Sequence, residues 1–236
     1  MDKPAAAFSL TAIRAWSPQT SQRVAIIGSA LVAFLIYLTT LQIGVNGSLH
    51  PYATDVGEIQ NALPRWGTLH FPGYPLYSLT GSLFVTLFRV VGVQPALGGA
   101  IYSALWGAVG VGLLVILCLH YKIRPGTAVL AALMYALTTS IWVDASVAEI
   151  VTMTMALTLG SLLAAIQFSR TGEQKTLFWL ALLSSQAVLH QRALVFLAPG
   201  LALLVWRQRA VVWRSLPMIG AVFALGFLVY LYLPIR

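Results

Sequence analysis

Asp55 and Glu58 stand at spacing i and i+3, which puts both carboxylates on one face if the chain there is helical. A third acid, Glu149, opens an apolar run. Acids held at membrane depth are costly and tend to mark function, and two carboxylates together suit a hard divalent cation. Arg65, His70, His190 and Arg192 could hold an anion, and an arginine near acids is a fitting anchor for a lipid phosphate. Each residue also has a plainer reading. Asp55-Val-Gly-Glu58 and Ser146-Val-Ala-Glu149 both fit a capping box, in which a side-chain oxygen takes an N3 amide and Glu reaches back. His70 and His190 also read as solvated loop histidines, Tyr74 and Tyr77 as part of an aromatic belt at headgroup level, and Asp144 as a turn residue. No H-x-x-x-H occurs, and the one cysteine, Cys118, cannot make a thiolate site. The metal assignment is therefore none, with a divalent ion possible but unsupported. Glycine-rich nucleotide loops and a G-x-S-x-G turn are also missing.

These residues need elements to hold them, and composition says which kind. Only 8% of the 236 residues are charged and 59% are hydrophobic, whereas a soluble domain carries roughly 25% charge to wet its surface. The class is an all-α polytopic membrane protein. The net charge of +8 is scattered at the ends of apolar segments, which excludes nucleic acid as a partner. Uncharged runs give seven spans, near 24–44, 97–120, 127–143, 149–168, 176–190, 193–208 and 215–234. Residues 1–23 form a leader, 45–75 a loop, and 76–92 an apolar segment with a polar stripe of Ser78, Ser82, Thr86 and Arg89 that suits a helix lying in the interface plane.

Charge decides whether 76–92 spans. If it lies flat on the outer face, ten of the fourteen Lys and Arg residues are cytoplasmic and only Arg65, Arg89, Arg192 and Arg236 are outside. If it spans, the split becomes six inside and eight outside, against the cytoplasmic excess of basic residues. The flat reading puts the N-terminus inside and Asp55, Glu58, Asp144 and Glu149 all on the outer face. Within that loop, His70-Phe71-Pro72-Gly73-Tyr74-Pro75-Leu76-Tyr77 reads as a rigid non-helical strap, because proline fixes φ and removes a donor. His190 to Arg192 form an outer turn that leaves the arginine in water.

The runs Tyr52-Ala-Thr-Asp55-Val-Gly-Glu58 and Gly67-Thr-Leu-His70-Phe-Pro72-Gly73-Tyr74-Pro75-Leu76-Tyr77 resemble a family of polytopic glycosyltransferases in the GT-C superfamily, the family that includes the vertebrate O-mannosyltransferase acting on plexin receptors. That family's strap reads G-x-x-H-P-P-G-Y-P-L-Y, so Phe71 stands where a proline is usual. Trp142-Val-Asp-Ala145-Ser-Val-Ala148-Glu149 is similar to its W-x-x-A-x-x-A-E, and Tyr232-Leu-Pro234-Ile-Arg236 to its P-I-R element, beyond which relatives continue. The resemblance implies a GT-C-like membrane module over 24–236 and transfer of a sugar from a polyprenyl-phosphate carrier to a hydroxyl on an outer-face acceptor, a protein or glycan. It implies Asp55 as general base of an inverting displacement, with Glu58 beside it. Glu58 and Glu149 would shape the acceptor pocket, Tyr74 would belong to the substrate-binding residues, and Arg65, His70, His190 or Arg192 would hold the departing phosphate. Two other classes stay open: a transporter or flippase of lipid-linked sugars, for which acids buried at the midplane would speak, and a non-catalytic module that binds carrier lipid or a partner subunit.

Overall fold

A computed structural model describes residues 18–45 and 54–232. Most of the leader, the loop breakers Asn46, Gly47 and Pro51, and the closing Pro234 to Arg236 lie outside the described residues. Regular structure among the described residues is wholly helical: α1 (Pro18–Leu38), α2 (Thr54–Ala62), α3 (Pro75–Val90), α4 (Pro95–His120), α5 (Pro125–Ala136), α6 (Thr139–Ser146), α7 (Val151–Thr171), α8 (Gln174–His190), α9 (Ala198–Val205), α10 (Arg209–Arg214) and α11 (Leu216–Gly226), joined in places by 3-10 turns. Prolines open α3, α4 and α5, where a preset φ helps and the missing N–H would have no helical acceptor. Gly172 closes α7 with φ 65°, and its N–H reaches Phe168 O at 2.8 Å.

Among the described residues four helical stretches are long and apolar enough to cross a membrane, Gln19–Leu38, Pro95–His120, Val151–Thr171 and Arg192–Arg214, and the pair α5 and α6 makes a fifth if its 68° bend lies within one span. The protein is a membrane protein, but length and composition give four or five crossings where the sequence pattern predicted seven. The single span expected over 127–143 is broken. Thr138 sits in extended backbone and its hydroxyl donates to Tyr135 O at 2.8 Å, so α6 starts in a new direction. α8, at 17 residues, and the 216–231 segment are shorter than the long helices.

α4 is the central post, with α1, α3, α5, α6 and α7 packed around it. Hydrocarbon gives no hydrophobic drive between helices, so small residues that let backbones close in carry the contacts. Ala33, Ala104, Ala128, Ala132, Ala136 and Ala145 are all fully buried. A side chain on Gly107 would bring its Cβ to 3.0 Å from Tyr37 and 3.2 Å from Ala145.

The helix expected at 76–92 is present as α3, but the two serines of its polar stripe face inward, while Thr86 is half-buried and Arg89 exposed. Ser78 and Ser82 are completely buried against the protein, whereas Leu83, Leu87 and Val90 are exposed. The contact is close at its centre: a Cβ on Gly81 would lie 3.1 Å from Leu63 and 3.3 Å from Tyr102, so small residues fit there, with Tyr77 and Val85 buried to either side. Small size, rather than polarity, placed the serines.

Candidate functional site

α2 brings the first two acids together. Val56 and Ile59 are buried at 0% and 1% and pin one face of the helix to the core, so Asp55 and Glu58, offset around the axis, point away from it. The chain then doubles back through the 3-10 turn Leu63–Arg65, closed by Trp66 in the left-handed region (φ 56°) and by Gly67 N–H donating to Ala62 O at 2.9 Å. That reversal returns His70 to Glu58. The His70 backbone N–H donates to Glu58 Oε1 at 2.5 Å and ring Nδ1 lies 2.7 Å from Oε2, so both carboxylate oxygens are taken. The other ring nitrogen, Nε2, is 4.0 Å from Asp55 Oδ2 and 3.5 Å from the Tyr74 hydroxyl.

Glu58 therefore caps nothing; it holds a histidine. The second expected capping box is not formed either. Ser146 ends α6 and its hydroxyl pairs with Thr40 at 2.8 Å, while the Glu149 N–H is taken by Ser103 Oγ at 2.9 Å. Asp144, expected in a turn, lies within α6 because that helix runs through it.

Behind His70 is a packed aromatic stack. Tyr74, with φ 40°, meets the His70 ring edge-on at 5.4 Å and the His190 ring at 5.6 Å. Tyr74 and Tyr77 are buried at 7% and 0%, so neither serves as a headgroup belt. The strap is non-helical only to Tyr74, since Pro75, Leu76 and Tyr77 already belong to α3. Its Phe71–Pro72 bond is cis. His190 is not solvated. It is 1% exposed at the end of α8, with Nε2 donating to Ile150 O at 3.3 Å and Nδ1 buried without a partner. Arg192 does reach the surface, where its guanidinium sits over the Phe71 ring at 4.0 Å. Arg65 is exposed and makes no ion pair among the described residues.

Glu149 lies in the link ahead of α7. Its carboxyl is pushed up to about 7, first by burial, with the charges of Asp144 and Asp55 adding to the rise, while the Ile150 N–H at 3.0 Å and the nearby His70 pull it down. His70 is raised above its usual value chiefly by its hydrogen bond to Glu58; partial burial opposes this and the acids Glu58, Asp55 and Glu149 reinforce it. Asp55, Glu58, His70 and Glu149 thus feel one another's charge and share one face.

One residue of this face had no signal in the sequence. Ser103, buried in the apolar α4, donates to Glu149 O and accepts from Glu149 N–H, both at 2.9 Å, and lies 3.3 Å from the Tyr77 hydroxyl. Replacing Ser103 by Ala orphans a buried N–H and a buried phenol, and the expected loss is about 1–3 kcal/mol in thermal unfolding of the detergent-solubilised protein. An unchanged melting temperature would refute the clamp.

Asp55, Glu58 and His70 offer ligand atoms within 4.8 Å of one another. Glu58 is already engaged with His70 through both oxygens, and His70 Nε2 lies 3.5 Å from the Tyr74 hydroxyl, so these groups are held by one another. A cavity of about 450 Å³ is lined by Thr40, Leu137, Thr139, Trp142, Val143, Ser146 and Val147, none of them a residue of this cluster. It carries no acid, but Trp142, Ser146 and Val147 belong to the stretch that ends at Glu149.

The chain is 25% identical over 190 residues to the mouse protein O-mannosyl-transferase TMEM260, an alignment covering 77% of this chain and 27% of the mouse protein. The chain thus spans about a quarter of that relative's length. No solved structure matches. The family described as protein O-mannosyl-transferase TMEM260 N-terminal domain matches residues 55–214, a stretch that begins at the first site acid and takes in most of the helical core, and the chain belongs to that family.

Proposed function

We propose that this chain carries the active face of a membrane glycosyltransferase that moves a sugar, mannose by analogy with the mouse relative, from a polyprenyl-phosphate carrier to an acceptor hydroxyl with inversion at the anomeric carbon. The observation that carries the reading is the convergence of Asp55, Glu58, His70 and Glu149 on one face, within the stretch shared with that family. Asp55 is the base: it lies on a helix turned outward, its carboxylate accepts no hydrogen bond among the described residues, and its side chain is 51% accessible. Glu149, half-buried, shapes the acceptor side with Tyr74 behind it. Arg192, seated on Phe71, and Arg65 are the cations available to a departing phosphate. Both ring nitrogens of His70 face acids or Tyr74, so it works with the carboxylates rather than on the phosphate.

The seven-span arrangement, with the N-terminus cytoplasmic and the site extracytoplasmic, belongs to this proposal and rests on the ten-to-four split of basic residues. No cofactor is needed for a single displacement. The test uses sealed vesicles of native membranes given polyprenyl-phosphate mannose and a hydroxyl-bearing acceptor on the active side. The expected product is a mannosylated acceptor whose anomeric configuration is opposite to the donor's. Passage of the lipid-linked sugar across the membrane with no such product would replace transfer by transport.

A further inference from the structure

We propose that His70 is a positioning residue acting through Asp55: Glu58 locks its imidazole so that Nε2 faces Asp55, and the charge on that ring decides whether Asp55 is free to take a proton. The inference rests on the functional reading above.

The lock is geometric. Glu58 accepts from the His70 backbone N–H at 2.5 Å and stands 2.7 Å from Nδ1, so Nδ1 carries the hydrogen and the ring cannot turn without breaking both bonds. The Tyr74 ring closes the back of the imidazole edge-on, and the buried His190 backs Tyr74 in turn. What remains is Nε2, aimed at Asp55 Oδ2 across 4.0 Å.

Two charge states follow. A neutral ring presents a lone pair at Nε2, which the Tyr74 hydroxyl at 3.5 Å can satisfy, and Asp55 keeps its lone pairs for an acceptor hydroxyl. A protonated ring presents N–H at Nε2 instead. It draws Asp55 Oδ2 into an ion pair, which occupies the oxygen that an acceptor hydroxyl would otherwise meet. The bond changes are those of the displacement alone: the acceptor oxygen bonds to the anomeric carbon, the bond from that carbon to the phosphate oxygen breaks, and the acceptor's proton goes to Asp55. His70 exchanges a proton only with solvent, to which its side chain is 42% accessible.

The charged and titratable groups facing this ring are Glu58 and Asp55 from α2, Tyr74 from the strap, and Glu149 from the link before α7, while Arg192 sits over the neighbouring Phe71. Acids outnumber the one cation, so the imidazolium is favoured and its titration is displaced upward.

The experiment is a pH profile of transfer in native membranes, from about pH 5.5 to 9, with polyprenyl-phosphate mannose as donor. The wild-type rate rises with pH along a limb centred above 6.5, the ordinary histidine value. His70→Gln removes that limb, leaving a profile that changes less than about threefold over the same range. Glu58→Gln keeps the limb but moves it to lower pH, because the neutral amide no longer favours the imidazolium. A wild-type rate that falls as pH rises, or a His70→Gln limb unchanged in position, overturns the role of His70. Neither result touches the assignment of Asp55, which fails separately if Asp55→Asn transfers at the wild-type rate. Melting temperatures of the detergent-extracted variants, matched to wild type, establish that a lost limb is not lost fold. If His70→Gln melts early, Glu58→Gln decides: an unmoved limb overturns the proposal.

Discussion

Asp55→Asn is expected to lower the transfer rate by about 10² to 10⁴, the usual contribution of a positioned general base. The amide is the same size as the carboxylate but does not take a proton near neutral pH. The substitution is clean because the side chain is not part of the packing: Val56 and Ile59 anchor α2, while the Asp55 side chain is 51% accessible. Stability is therefore expected to stay within about 0.5 kcal/mol of wild type, as for surface changes. The loss falls on kcat, because a base acts in the transition state while the donor is held elsewhere, by its phosphate and its chain. Initial rates at saturating donor, compared with melting temperature, test the two halves of this expectation. A variant that keeps more than a third of the wild-type kcat removes Asp55 as base.

Glu149→Gln is expected to stabilise the protein at alkaline pH and to do little at acid pH. Burial raises the Glu149 carboxyl from 4.5 to about 7. The sign follows from linkage: the folded state holds its proton more tightly than the unfolded state, so the favourable contribution is complete below pH 4.5 and is lost as pH rises through about 7. Between those limits the wild type gives up about 3 kcal/mol. Glutamine never ionises, and its amide oxygen can still accept from the Ile150 N–H, a bond of 3.0 Å in the wild type. Thermal unfolding in detergent at pH 5 and pH 8 should show a gap between variant and wild type that opens only at the higher pH. A gap of the same size at both would mean that the carboxylate is not ionising in a buried setting.

The long helices were readable from the apolar runs alone. The predicted 97–120 and 149–168 became Pro95–His120 and Val151–Thr171 because each is a run of apolar residues long enough to commit the backbone without help. The break between α5 and α6 was harder to see, since Thr138, Thr139 and Ser140 look like tolerable polar residues in a span until one extended backbone turns them. α3 had the right ends, but its serines turned inward, because serine is both polar and small, and packing selected the size. At the site, the i and i+3 acids were legible from spacing. The partner of Glu58 was not: His70 lies twelve residues on, and its return depends on a 3-10 turn and a left-handed Trp66 that no spacing rule reports. The burial of His190 was hidden for a similar reason, as its hydrogen-bond partner is forty residues away.

The Ser103 clamp on Glu149 also has a bearing on the order of events during synthesis. Asp55 leaves the ribosome 94 residues before Glu149. At about 5–20 residues per second, that interval is on the order of ten seconds. Ser103 follows with α4 about midway through that interval, 46 residues ahead of Glu149, its hydroxyl beside that of Tyr77 while the Glu149 backbone is still to come. The third acid, Glu149, arrives only with the chain that leads into α7, so the cluster is completed by a late helix rather than by the folding of the first loop. A nascent chain stalled before residue 149 would expose Asp55 to a water-soluble carboxyl reagent, and release from the stall would withdraw Glu149 into cover.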